Sequence, residues 1–205
     1  MRLFAATRNA GKQREIRRVL EAAGHAVVFP DEAGLYEDIQ ESLLENADTF
    51  EGNARRKADY FVRRSGLPTF ADDSGLEVLS LNGAPGVRSR RFAAVEGPVH
   101  QVDAANNREL LRRLLGASAA RRRARFRCVI AFQPRPDAPP DIFEGAATGT
   151  ILEEPRGYDG FGYDPLFLSD DLGVTFAEAS AEEKDRVSHR GRALAALVAA
   201  LGGPE

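Results

Sequence analysis

Short apolar runs alternate along this chain with segments whose apolar residues recur at helical spacing. Leu3-Phe4-Ala5-Ala6 predicts a short buried strand, followed by the polar turn Thr7-Arg8-Asn9-Ala10-Gly11-Lys12. Ile16, Val19, Leu20 and Ala23 then recur at i, i+3, i+4 and i+7, an amphipathic helix that Gly24 ends. His25 to Phe29 predicts a second strand. Strand, helix and strand in such quick succession open an α/β unit with a parallel pairing.

Residues 30 to 47 are acidic and irregular. In Asp48-Thr49-Phe50-Glu51 a capping residue stands three positions before a glutamate, so a helix is expected from there to about Ser65, ahead of Gly66 and Pro68. Thr69 to Ala71 and Leu76 to Leu79 read as two short strands flanking Asp72-Asp73-Ser74-Gly75, which opens into a glycine turn. Residues 82 to 98 form a loop, and Asp103 to Leu115 a helix with Leu110, Leu111, Leu114 and Leu115 as its apolar stripe. Ala124 to Phe132 is a strand that pairs with Ile142 to Ile151 after a Pro-rich turn. Gly157 to Pro165 is a loop of glycines and aromatics. The last helix begins near Ser180, with Glu183 completing a capping box, and turns Val187, Leu194, Leu197, Val198 and Leu201 inward. The reading is one α/β domain over residues 1–205.

Composition narrows the function classes. Of 205 residues, 43% are hydrophobic and 29% charged, which excludes wholesale disorder. Lys+Arg 28 against Asp+Glu 31 leaves a net charge of −3, so no global basic field marks a nucleic-acid binder. The single cysteine, Cys128, excludes an intrachain disulfide framework and suits a reducing compartment. The apolar stretch Ala193 to Leu201 is about half the roughly 20 residues of a membrane helix. A cytoplasmic protein with no membrane partner is expected. Arg121, Arg122, Arg123, Arg125 and Arg127 lack interleaved aromatics and read as a solvated edge rather than an RNA platform.

Four segments have the makings of chemistry. The turn Thr7 to Lys12 enters a helix whose N-terminal N–H groups favour an anion, with Lys12 adding charge; a capped turn with a solvated lysine is the plainer alternative. Asp72 and Asp73 are hard oxygen donors that need a divalent metal or a shared proton if they stand unpaired. Glu45 and Lys57 acquire meaning only if the fold brings them to that pair. In Gly160-Phe161-Gly162-Tyr163-Asp164-Pro165, glycines let the backbone approach a flat ligand on which Phe161 can stack. Lys184 and the His189-Arg190 pair lie within adjacent turns and can border one cleft, unless they form a solvated face.

Taken together, Thr7-x-Asn9-x-x-Lys12, Thr49-Phe50-x-x-Asn53-Ala54-x-x-Lys57-Ala58, Ala71 to Leu76, Gly83-Ala84-Pro85-Gly86, Ala124 to Val129, Gly160 to Pro165 and Lys184 with Ser188-His189-Arg190-Gly191 stand in one family's order. The chain resembles the inosine triphosphate pyrophosphatases, which clear non-standard purine nucleotides such as ITP, dITP and XTP. The resemblance implies an α/β fold with a long bent mixed sheet flanked by helices, two lobes around an active-site cleft, and a homodimer. It implies Mg²⁺-dependent hydrolysis of a purine nucleoside triphosphate to the monophosphate and pyrophosphate. By position it assigns Thr7, Arg8, Asn9, Ala10, Gly11, Lys12 and Lys57 to the triphosphate, and Glu45 and Asp73, with Asp72 possible, to the metal. Asp73 matches the proton acceptor and Ser74 a substrate contact. Phe161, Gly162, Tyr163, Asp164, Lys184, His189 and Arg190 match the nucleoside side. Arg90 stands where the family carries a small residue. A pyrimidine-directed pyrophosphatase of Maf-like type and a nucleotide sensor without turnover are the competing readings.

Overall fold

A computed structural model describes residues 1–202; residues 203–205, the end of the expected domain, lie outside the described residues. Strand β1 (Arg2–Ala5) leads through helix α1 (Ala10–Ala22) to β2 (Ala26–Val28). Helix α2 (Phe50–Ser65) and strand β3 (Thr69–Val78) follow, then α3 (Val99–Arg113), β4 (Arg123–Gln133), β5 (Asp141–Ile151), β6 (Phe167–Ser169), α4 (Ala181–Val187) and α5 (His189–Leu201). Among the described residues the strands form a six-stranded sheet in the order β2-β1-β3-β4-β5-β6. Strand β1 pairs parallel with both β2 and β3, and β5 pairs antiparallel with β6, so the sheet is mixed and the α/β expectation holds.

The chain divides into two compact units, each of discontinuous segments. Unit 1 comprises Met1–Asp73, Cys128–Gly145 and Arg190–Glu205; unit 2 comprises Ser74–Arg127 and Ala146–His189. The chain passes between them within β3, β4 and β5 and between the first two residues of α5. Unit 1 has two apolar clusters. One joins Leu3, Ile16, Leu20, Phe70, Ile130 and Leu194; the other joins Phe4, Ala54, Ala58, Phe61 and Ala131. Unit 2 has its own, around Leu76, Leu110, Phe126, Tyr163, Phe167 and Phe176.

Several elements differ from the sequence expectation, each for a physical reason. Helix α2 is capped by Thr49, not Asp48: the Thr49 hydroxyl accepts the Gly52 N–H at 3.0 Å. Its end at Gly66, in the left-handed region at φ 64°, is as expected. No turn interrupts residues 72–75; β3 runs unbroken through both aspartates, because partners described below compensate their burial. Helix α3 starts at Val99, four residues early, behind Pro98. Within it and just beyond, Leu110 and Leu114 are buried, whereas Leu115 is 86% exposed and leaves the expected stripe. The last helix is two helices. The capping box at Ser180 and Glu183 is present, but Ser188 turns extended and separates α4 from α5. Arg122 is buried rather than solvated, and donates to the carbonyls of Leu114, Ala117 and Leu152.

Candidate active site

Unit 1 carries the ionic chemistry. The buried face of α2 is Phe50, Asn53, Ala54, Lys57, Ala58, Phe61 and Val62, an amphipathic stripe with two polar intrusions one turn apart. Those intrusions meet Asp73. Asn53 Nδ2 donates to Asp73 Oδ2 at 2.9 Å, and Lys57 Nζ lies 3.5 Å from Asp73 Oδ1. The same ammonium donates to Glu45 Oε1 at 2.9 Å and to the Asp72 carbonyl at 2.7 Å. Asn53 Oδ1 also accepts the Ala47 N–H at 2.8 Å, which ties the loop carrying Glu45 to the helix beneath Asp73.

Asp72 faces different partners, because successive side chains on a strand point to opposite faces. Lys12 Nζ is 3.0 Å from Asp72 Oδ2, and Arg190 donates to the same oxygen from Nε at 3.2 Å and Nη2 at 3.1 Å. Arg190 Nη1 donates to Glu15, so a chain of alternating charges runs Lys12, Asp72, Arg190, Glu15. The two aspartates are therefore not a shared-proton pair. Burial pushes both upward, but the Lys12, Arg190 and Lys57 charges overcome it at Asp72 and hold that carboxyl well below its usual range. At Asp73 burial prevails: Lys57 and Lys12 oppose it, Glu45 reinforces it, and the carboxyl sits above its usual range. Lys57, despite burial, is held more firmly charged by Glu45, Asp73 and Asp72. Cys128, whose thiol burial pushes up, is packed against Asp72 as an inert core residue.

The turn after β1 is both capped and charged. Asn9 Oδ1 accepts the Lys12 N–H at 3.0 Å, and Thr7 Oγ1 accepts the Asn9 N–H. Among the described residues the N–H groups of Ala10 and Gly11, in the first turn of α1, carry no hydrogen bond. Lys12 is mostly buried on Asp72, not solvated. Arg8 turns to the acidic loop, where it pairs with Asp31 and Glu41 and donates to the Leu35 carbonyl.

Unit 2 holds the second group of predicted residues. Asp164 Oδ2 accepts the Phe161 N–H at 2.8 Å and the Lys184 ammonium at 2.5 Å. Lys184 Nζ lies 5.0 Å from the Phe161 ring centroid and 5.6 Å from that of Phe176. Gly160 is required there, since a Cβ would fall 2.2 Å from an Asp164 oxygen. His189 stacks on Phe126 at 4.6 Å between ring centroids. Tyr163 is core, with its hydroxyl donating to the Ser89 carbonyl at 2.8 Å, while Phe161 and Gly162 stay partly exposed. Ser74, on β3, is partly buried.

The structure thus gathers Lys12, Glu45, Lys57, Asp72, Asp73 and Arg190 in unit 1, and Phe161, Asp164, Lys184 and His189 in unit 2. Arg190 is 2% exposed with its guanidinium committed to Asp72 and Glu15. Sequence reading missed Asn53 and Glu15 as members of these networks. The signal was present: each is a polar residue in the buried register of an otherwise amphipathic helix.

Among the described residues no group of three or more His, Cys, Asp or Glu side chains is placed to hold a metal ion, so a cation here would draw on two carboxylates and its own other ligands. Mg²⁺ is usually bound through one or two carboxylates plus substrate phosphates rather than by a closed protein cage. Glu45, with its side chain 41% exposed, and Asp73 offer two carboxylates around one ammonium.

Comparison with known proteins places the chain in a family. The sequence model of the Ham1 family matches residues 3–200. The chain is 48% identical to a dITP/XTP pyrophosphatase of Syntrophobacter fumaroxidans over 95% of this chain and 79% of that one. It is 42% identical to a dITP/XTP pyrophosphatase of Haemophilus influenzae over 98% of each. A HAM1 protein of Coxiella burnetii superposes with a TM-score of 0.83 at 36% identity, covering 98% of each chain. The Ham1 protein of Staphylococcus aureus gives 0.80 at 35% identity, again over 98% of each. No helix among the described residues is long and apolar enough to cross a membrane. With matching sequence over nearly its whole length and a matching fold, the chain belongs to the Ham1 family.

Proposed function

We propose that this protein hydrolyses ITP, dITP and XTP to the nucleoside monophosphate and pyrophosphate with Mg²⁺, as a cytoplasmic homodimer without nucleic-acid partners. The observation that carries the proposal is the meeting of Glu45 and Asp73 on one Lys57 ammonium. Phosphoanhydride cleavage needs three things: neutralised phosphate charge, a positioned water, and an acceptor for its proton. Lys12, Lys57 and the N–H groups of Ala10 and Gly11 answer the first. Asp73 answers the last. Asn53 donates to its Oδ2 and Lys57 Nζ lies 3.5 Å from its Oδ1, so the carboxylate is held in one orientation.

Glu45 and Asp73 would hold Mg²⁺, with Asp72 reserved for Lys12 and Arg190. Bound there, the ion would neutralise phosphate charge and acidify the attacking water. Arg190 acts as a positioning residue: it fixes Asp72, and Asp72 in turn fixes Lys12 toward the phosphates. On the unit 2 side, Phe161 offers a partly exposed ring for a base, and Lys184, His189 and Asp164 hold its surroundings. The dITP/XTP pyrophosphatase names of the relatives support the substrate class.

The test is a panel of ITP, dITP, XTP, ATP and GTP, with Mg²⁺ and with excess EDTA. The expected result is kcat/KM for ITP and XTP at least tenfold above ATP and GTP, the scale of one unpaired buried polar group. Equal use of all five, or full activity in EDTA, contradicts the proposal.

A further inference from the structure

Among the described residues, the turn at residues 160–164 has two backbone donors without an acceptor, those of Gly160 and Tyr163, and the second is fixed in direction by its neighbours. The Phe161 N–H goes to Asp164 Oδ2 at 2.8 Å, the Gly162 N–H to Asp103 Oδ2 at 2.9 Å, and the Asp164 N–H to the Phe161 carbonyl at 3.3 Å. The Tyr163 N–H has no partner among the described residues. It belongs to the same peptide group as the Gly162 carbonyl, and that carbonyl accepts Asn107 Nδ2 at 3.0 Å. A trans peptide is planar, with its C=O and N–H pointing in opposite directions. Pinning the oxygen on Asn107 therefore aims the Tyr163 N–H away from α3. Asp103 and Asn107 are four residues apart on one face of that helix, so they hold Gly162 at both its N–H and its C=O.

The clamp matters because the residue it holds is a glycine. Gly162 sits at φ 63°, and a glycine passes between backbone conformations that other residues resist. If the Gly162–Tyr163 peptide turned over, a carbonyl oxygen would replace the N–H, and a donor would become an acceptor. A purine with a 6-oxo group needs the donor; one with a 6-amino group needs the acceptor.

We infer that Asn107 and Asp103 are positioning residues that hold the Gly162–Tyr163 peptide with its N–H outward, and thereby set the preference for 6-oxo over 6-amino purines. The inference rests on the proposed base-side role of the Phe161–Asp164 turn. Both residues belong to unit 2 and the proposed phosphate-binding residues to unit 1, so the predicted effect is a change of ratio, not of overall rate.

The experiment compares kcat/KM for ITP and ATP in wild type, Asn107→Ala, Asp103→Ala and Asp103→Asn. Asn107→Ala is expected to lower the ITP value about tenfold and leave ATP within about twofold, so the ratio narrows about tenfold. Asp103→Ala narrows it in the same direction, whereas Asp103→Asn keeps an acceptor oxygen for the Gly162 N–H and keeps the ratio. If Asn107→Ala melts below assay temperature, the two Asp103 variants carry the same comparison. Equal loss on both substrates, or an unchanged ratio in the alanine variants, overturns the clamp. A wild-type enzyme that does not discriminate ITP from ATP overturns the base-side reading itself, and the clamp with it.

Discussion

The two units hold their charges in different ways. In unit 1, four carboxylates and three cations form two networks on opposite faces of β3. In unit 2 one ion pair, Lys184 with Asp164, is enclosed by Phe161 and Phe176 and braced by backbone hydrogen bonds. The first arrangement tunes carboxylates, raising one and depressing its sequence neighbour. The second fixes the shape of a turn. The comparison teaches that charge-handling and shape-handling are divided here between units with separate cores. Variants in unit 1 should therefore act on kcat or on pH-dependent stability, and variants in unit 2 on KM.

The largest effect is expected at Asp73. Asp73→Asn keeps the acceptor for Asn53 but abolishes proton acceptance, so kcat should fall about 10²- to 10⁴-fold. The fold should survive, because Lys57 keeps Glu45 and the Asp72 carbonyl as partners. Near wild-type kcat would remove Asp73 from the chemistry.

Next is the stability contrast between the neighbours. Asp72→Asn strips the countercharge from buried Arg190 and Lys12, and should cost about 3 to 5 kcal/mol in urea unfolding. The pH sign follows from the depressed carboxyl. Because its folded pKa lies below the unfolded value near 4, its contribution is present above that pH and is lost as pH falls through the folded pKa. Asp73, raised, has the opposite sign: its contribution favours the fold in acid and is withdrawn as pH rises from the unfolded to the folded pKa. Urea titrations from pH 7 to pH 3 should show wild type losing stability in acid and Asp72→Asn losing less. Parallel curves would contradict the assignment of Asp72 as the structural carboxylate.

The sequence already showed the α/β start, the capping box at Ser180, and the order of charged motifs. It did not show that Asp72-Asp73-Ser74-Gly75 continues a strand. Those residue types favour turns, and only Lys12, Arg190, Lys57 and Asn53, supplied by three helices, make their burial tolerable. Nor did it show that Arg190 is interior, since a charged residue after Ser188-His189 reads as a helix face until Glu15 and Asp72 are placed beside it. Local pattern announced the elements. The pairing of charges across them needed the fold.

A smaller effect is expected in unit 2. Phe161→Ala removes the partly exposed ring, so KM for ITP should rise about fivefold to tenfold with kcat within about twofold. A fall in kcat with unchanged KM would break the division between the units.

The most direct test of the account is the identity of the products. Stoichiometric analysis of dITP hydrolysis by the wild-type enzyme should give one monophosphate and one pyrophosphate per turnover, with none formed in excess EDTA and almost none by Asp73→Asn. Orthophosphate as the first product, or undiminished turnover by the Asp73→Asn variant, would contradict it.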